Sequence, residues 1–201
     1  MYLGLSIAST KGLWVLLDAQ LKLVDYREWE DSERGDLWKE LENQLSSLLE
    51  SNTQTLENIR TLFCVSGPGA YTGLRIASAY CKGLSLSLGI AMIGVPSIDL
   101  NNGEAFFIPV RQQLIRDLTQ VEALSDSRNF EFLKITGKYS AELLRPTPKD
   151  LLWGSKDLNQ TWPSAEQFAK AISTNINKTQ PFEIFYGLGP KVFGEYLKED
   201  R

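Results

Sequence analysis

The chain of 201 residues contains no histidine, and that absence removes a large part of enzyme chemistry. Ser-His-Asp and Cys-His catalysis are excluded, as are the commonest zinc ligand sets. Cysteine is nearly as scarce. Cys64 and Cys81 are the two present, neither has another cysteine close by in sequence, and this argues against a metal site. As free buried thiols they suit a reducing cytoplasm. A basic excess is missing too: 21 basic side chains stand against 25 acidic ones, a net charge of -4. Autonomous nucleic-acid binding needs a basic footprint, so any RNA contact would draw most of its charge from another chain. No apolar run is long enough to span a bilayer, and Met1-Tyr2-Leu3-Gly4 opens without the basic and apolar regions of a signal peptide. A cytoplasmic protein without a membrane segment is expected.

What is present is ordinary globular usage, 43% hydrophobic and 23% charged, in a length suited to one domain or two small lobes. Tyr2 to Ala8 reads as a strand followed by the turn Ser9-Thr10-Lys11-Gly12. Leu13 to Leu17 and Leu23 to Trp29 read as two more, and the short connections predict antiparallel pairing. A helix starts near Asp36, its expected cap. It places Leu37, Leu41, Leu45, Leu48 and Leu49 on one face, with Trp38 broadening that face. A strand at Leu62 to Val65, a helix from Ala77 to Leu88 and a strand from Ala91 to Val95 complete a β-β-β-α-β-α-β order. By element order this is a ribonuclease-H-like or actin-like α/β lobe, residues 1–98, followed by a smaller, divergent α/β lobe, residues 99–201. In the second lobe, Ala105 to Val110, Phe130 to Thr136 and Glu183 to Tyr186 read as strands, with a short helix on to Leu197. The prolines Pro146 and Pro148 make Leu143 to Trp153 extended and irregular. Ser164-Ala165-Glu166-Gln167 is a capping-box pattern, opening a helix that buries Phe168, Ala171, Ile172 and Ile176.

The most informative segment is Ser66-Gly67-Pro68-Gly69-Ala70-Tyr71-Thr72-Gly73-Leu74-Arg75-Ile76, a glycine-rich turn between strand and helix. Gly67, Pro68, Gly69 and Gly73 bend the backbone sharply and let another surface come close. A phosphate is one candidate for that surface. However, no lysine follows Gly73 as a P-loop requires, and the third glycine falls one residue late for a dinucleotide fingerprint. Thr72 is expected as the helix N-cap. The helix is rich in small residues, among them Gly73, Ala77, Ser78, Ala79, Gly83, Ser85 and Ser87, interleaved with Tyr80, Leu84 and Leu88. One face must pack on its own sheet. Small and apolar residues on more than one side suggest a second buried face and hence a partner helix. A purely internal helix is the competing reading.

At these residues the chain resembles the TsaB (YeaZ) family, the non-catalytic, actin-like (ASKHA) members of the bacterial machinery that makes threonylcarbamoyladenosine in tRNA. The family's glycine-rich strand-turn-helix pattern is matched from Gly67 to Ile76, and its following segment by Gly94-Val95-Pro96-Ser97. The resemblance covers Tyr2 to about Leu100. It implies a cytoplasmic scaffold, without a cofactor or metal of its own, that pairs with the catalytic paralogue TsaD. A TsaE-like ATPase would be a further partner, and tRNA would be reached only through the complex. The interface it implies, used both for pairing with itself in a possible homodimer and for pairing with TsaD, follows the glycine turn and comprises Tyr71, Thr72, Gly73, Ile76, Ala77, Tyr80, Cys81, Gly83, Leu84 and Leu88. Ser6 stands where the family's first strand usually carries an acid, which argues against intrinsic phosphoryl chemistry. Arg34-Gly35-Asp36 stands where the family often has a histidine. The family's closing segment, which returns to the first lobe, is not recognisable. Two alternatives stay open. One is an enzyme, either an actin-like nucleotide hydrolase or a glycoprotease-like protein with a carboxylate-only metal site drawn from Asp18, Asp25 and Asp31. The other is a stand-alone homodimeric regulator.

Overall fold

A computed structural model describes residues 1–8, 11–30, 37–67, 69, 71–100, 106–109, 132–137, 140–144, 164–177 and 182–184. Strands β1 (Tyr2–Ser6), β2 (Lys11–Leu17) and β3 (Leu23–Glu30) form an antiparallel meander. Helix α1 (Leu37–Ser51), β4 (Thr61–Gly67), α2 (Tyr71–Leu88) and β5 (Ala91–Pro96) follow. β4 pairs parallel to both β1 and β5, giving a five-stranded sheet of order β3-β2-β1-β4-β5. The apolar run Leu13-Trp14-Val15-Leu16-Leu17 is wholly buried because β2 is interior and covered on both faces, whereas edge strand β3 alternates between more and less exposed positions.

Each face of the sheet has its own core. On one, α1 and α2 cover Leu3, Leu5, Ile7, Trp14 and Leu16. The Trp14 indole donates to the Leu41 carbonyl at 3.0 Å, so the largest side chain of this core also fixes α1. On the other face, Phe168 and Ile172 of α4 (Ala165–Asn175) pack on Val15, Phe63 and Val65. The short helix α3 (Ser97–Leu100) follows β5 directly. Asn175 of α4 donates to Asp99 of α3 at 3.0 Å and to the Ala171 carbonyl at 2.7 Å. A segment from the 99–201 stretch thus returns to the first sheet, although no returning element was legible in the sequence. Strands β6 (Phe106–Pro109), β7 (Phe132–Gly137) and β8 (Ser140–Leu144) form a second, antiparallel sheet in that order.

Several boundaries differ from expectation. α2 starts at Tyr71 rather than Ala77, so Thr72 lies inside the first turn and is not the N-cap. Trp38 does not join the buried face of α1, being 48% exposed. Leu143 and Leu144 belong to β8 instead of an irregular stretch. Glu183 and Ile184 lie in neither helix nor strand. The expected cap Asp36, the remainder of Leu143 to Trp153 and the helix ending at Leu197 fall outside the described residues. The Ser164 capping box forms as read: Ser164 Oγ accepts from the Gln167 amide at 3.3 Å, and the Gln167 side chain accepts from the Ser164 amide at 2.8 Å. The helix it opens buries Phe168, Ala171 and Ile172.

Candidate functional site

The glycine turn leaves the carboxyl end of β4 through Gly67, whose φ of 99° is one that side chains rarely adopt. What comes close to it is the end of β1. A Cβ on Gly69 would lie 2.7 Å from the Ala8 carbonyl oxygen, and one on Gly73 would collide with the Ile7 carbonyl oxygen. The turn's glycines therefore let the start of α2 settle directly on the backbone of Ile7 and Ala8, just past the first strand.

That contact sets the rotation of the whole helix. Gly73, Ala77 and Cys81 follow one another at four-residue spacing and face the sheet; Ala77 and Cys81 are 1% and 0% exposed. These three proposed interface positions are covered by the chain's own core, which corrects their assignment to a partner. Cys81 lies beside Cys64 of β4. The hydrogen bond between the two thiols, then burial, hold the Cys64 thiol well above its usual range, so it is a core group and not a nucleophile.

The rest of the helix differs. Thr72, Arg75, Ala79, Lys82, Gly83, Leu86 and Ser87 are exposed, and Ile76, Tyr80, Leu84 and Leu88 are half-buried. A Cβ added to Gly83 would meet nothing within 4 Å. Leu86 is 84% exposed, the most exposed large apolar side chain among the described residues. Sequence reasoning passed over Leu86 and misplaced Trp38. The Trp38 ring meets Tyr80 edge-on at 5.0 Å, and Trp14 meets Tyr80 from below at 6.1 Å. This aromatic stack carries the apolar surface of α2 across to α1. Burial, with the Glu42 carboxylate and then Cys81 adding to it, pushes the Tyr80 hydroxyl up to about 12. Of the named positions, Thr72 and Gly83 lie on this outer face and Ile76 and Tyr80 beside it, whereas Leu84, seven residues beyond Ala77, packs against the core, and half-buried Leu88 follows on the same side. The side chains of Tyr71 and Pro68 lie outside the described residues.

The carboxylate alternative finds its groups engaged elsewhere. Asp18 accepts from the amides of Gln20 and Lys22 and closes the β2–β3 turn. Asp25 accepts from Arg27, Asn52 and the Tyr26 amide, joining β3 to α1. Burial would raise the Asp25 carboxyl, but those three donors outweigh it and hold the group below its usual range. Asp31 is outside the described residues. Among the described residues no group of three or more His, Cys, Asp or Glu side chains could hold a metal ion. Nor is any helix there long and apolar enough to cross a membrane. Ser6 is fully buried and its hydroxyl has no hydrogen-bond partner. A carboxylate at that position would be a buried, unpaired charge.

The strand order β3-β2-β1-β4-β5 and the β-β-β-α-β-α-β sequence of elements are those of a ribonuclease-H-like or actin-like fold. The chain resembles the TsaB (YeaZ) family within that class. Residues 38–110, from α1 to just past β6, match the family model described as TsaD, tRNA N6-adenosine threonylcarbamoyltransferase. Among solved structures the chain is similar to YeaZ from Pseudomonas aeruginosa, at 16% identity and a TM-score of 0.49, over 73% of this chain and 68% of that one. It is also similar to a protein from the same organism described as uncharacterised with similarity to peptidase YEAZ. That match has 15% identity and a TM-score of 0.45, over 72% of this chain and 67% of that one. No curated protein matches the chain.

Proposed function

We propose that the chain is a non-catalytic partner subunit of the machinery that forms threonylcarbamoyladenosine in tRNA. It seats a TsaD-like catalytic subunit on the outer face of α2. The observation that carries this reading is the second face of that helix. Ala79 and Gly83 leave it low enough for another helix to approach closely, while exposed Leu86 and the Trp38–Tyr80 pair supply apolar area to bury. The resemblance from Gly67 to Ile76 and the match over residues 38–110 favour a TsaD-like partner. The lack of histidine and the hydroxyl of Ser6 in place of an acid favour a subunit that leaves the chemistry to TsaD. A TsaE-like ATPase joins the same assembly, tRNA is reached through the complex, and the work is done in the cytoplasm.

The test is co-expression with a TsaD-like subunit, followed by gel filtration and a threonylcarbamoyl-transfer assay on tRNA. Co-elution, with transfer absent from this chain alone and raised when it is added to the catalytic subunit, is the expected result. Failure to co-elute, together with ATP hydrolysis by the isolated chain, would reject the reading in favour of the nucleotide hydrolase.

A further inference from the structure

The two edges of the five-stranded sheet are treated differently. At β5, a Cβ on Gly94 would lie 3.2 Å from the Phe182 ring, so the chain's own segment 182–184 lies close to that edge. At the other edge, β3 has no strand beside it among the described residues. β3 is eight residues long, and its Val24 and Tyr26 side chains are 45% and 43% exposed. A long edge strand with exposed apolar side chains is a template for another strand.

Two side chains stand in the way. Across the β2–β3 turn, the Asp18 amide donates to the Lys22 carbonyl at 3.0 Å. Alternation along β2 then aims the backbone groups of Leu16 and Trp14 at their partners Asp25 and Arg27. Tyr26, between those two, turns its own amide and carbonyl outward, and neither is open. The Asp25 carboxylate accepts from the Tyr26 amide at 2.8 Å, and the Arg27 guanidinium donates to the Tyr26 carbonyl at 2.7 Å. An ion pair of 2.9 Å between Asp25 and Arg27 closes the ring. Helix α1 steadies both: Asn52 donates to Asp25 at 2.8 Å, and Arg27 donates to Ser51 Oγ at 2.6 Å.

We propose that the Asp25–Arg27 pair guards the edge of the sheet, keeping a second copy of the chain from adding its own β3 there in antiparallel pairing. A two-fold pairing centred on Tyr26 needs the two tyrosines to exchange both of their N–H···O bonds, and the guard already holds those groups. The second copy is the occupant kept out because the exposed strip suits itself. In that register Tyr26 lies opposite Tyr26 and Val24 opposite the stem of Glu28, so the apolar area of each copy is covered by the other. The idea concerns β3 alone and stands apart from whatever α2 docks. A plain tether between β3 and α1 is the competing explanation.

Sedimentation of the full chain, well below each melting midpoint, distinguishes the two. The wild type sets the baseline, including any association it makes through another surface. Asp25→Ala/Arg27→Ala frees the outward groups of Tyr26 and should self-associate on the order of tenfold more tightly than that baseline. Arg27→Met keeps the Asp25 contacts and frees only the carbonyl. It should show a smaller gain, and it carries the test if the double variant melts too low. Ser51→Ala/Asn52→Ala cuts the ties to α1 and leaves Tyr26 covered, so it should lower the melting midpoint without adding association. Asp25→Ala/Tyr26→Pro/Arg27→Ala removes an N–H that the β2 ladder does not use and should return association to the baseline. Guard-free variants that melt lower but associate no more than the wild type would mark the pair as a tether and overturn the proposal. So would a gain that Ser51→Ala/Asn52→Ala reproduces, or one that proline at position 26 leaves intact.

Discussion

Helix α2 presents two faces built from similar small residues, and they do opposite things. On the inner face, Gly73 lies against the Ile7 carbonyl, and Ala77 and Cys81 continue the same line into the core. Small size there brings the helix down onto its own sheet. On the outer face, Gly83 looks into open space and Ala79 is exposed, beside an 84% exposed leucine. Small size there has no internal use, and a glycine in mid-helix lowers intrinsic stability by about 1 kcal/mol relative to alanine. Composition is therefore a poor guide to role. The rotation of the helix about its axis decides which small residue is core and which is surface.

The comparison can be broken most forcefully with a charge. Ala77→Arg puts an unpaired cation into the core between α2 and the sheet and should cost about 4 kcal/mol, enough to unfold much of the population in a denaturant titration. Gly83→Arg, six residues on, should shift the same titration by less than about 0.5 kcal/mol. Gly73→Ala comes next. Its added methyl group meets the Ile7 backbone just past β1, not a flexible side-chain end, and a loss of about 3 kcal/mol is expected in the same measurement. Gly83→Ala should act with the opposite sign and raise stability by about 0.5–1 kcal/mol, because the site is helical and open.

The smallest effect concerns Tyr80, at the border between the two faces. Its hydroxyl is raised from 10.0 to about 12, so between those values the unfolded chain releases this proton and the folded chain keeps it. The native state binds more protons in that window, and the Tyr80 contribution to stability is full below pH 10 and lost as pH rises toward 12. Trp38→Ala removes the ring that covers Tyr80. Absorbance titration of the phenolate should then show one tyrosine ionising at lower pH than in the wild type.

The five-stranded sheet and its first two helices were legible because their signals are local. The apolar run of β2, the leucines of α1 and the glycine turn each name an element, and short connections fix their pairing. The sorting of α2 was not legible. Ala77 and Gly83 differ by about 120° around the axis, and what sets the phase is the contact of Gly73 with Ile7, sixty-odd residues apart in the chain. Trp38 was misplaced for a related reason. Apolar spacing marks it as inward-facing, whereas its ring instead lies edge-on to Tyr80 at the surface. Thr72 has a favourable side chain for a cap, but α2 already begins at Tyr71. In β8, Pro146 and Pro148 coloured the reading of the residues before them, yet pairing with β7 holds Leu143 and Leu144 in a strand.

The most direct measurement is calorimetric titration of a TsaD-like subunit with the wild-type chain and with Gly83→Arg, each first shown to melt at the same temperature. The wild type should bind and the variant should give no measurable heat, since an arginine would stand where another helix has to approach. Equal affinity for the two would show that a partner, if seated at all, is seated somewhere other than the outer face of α2.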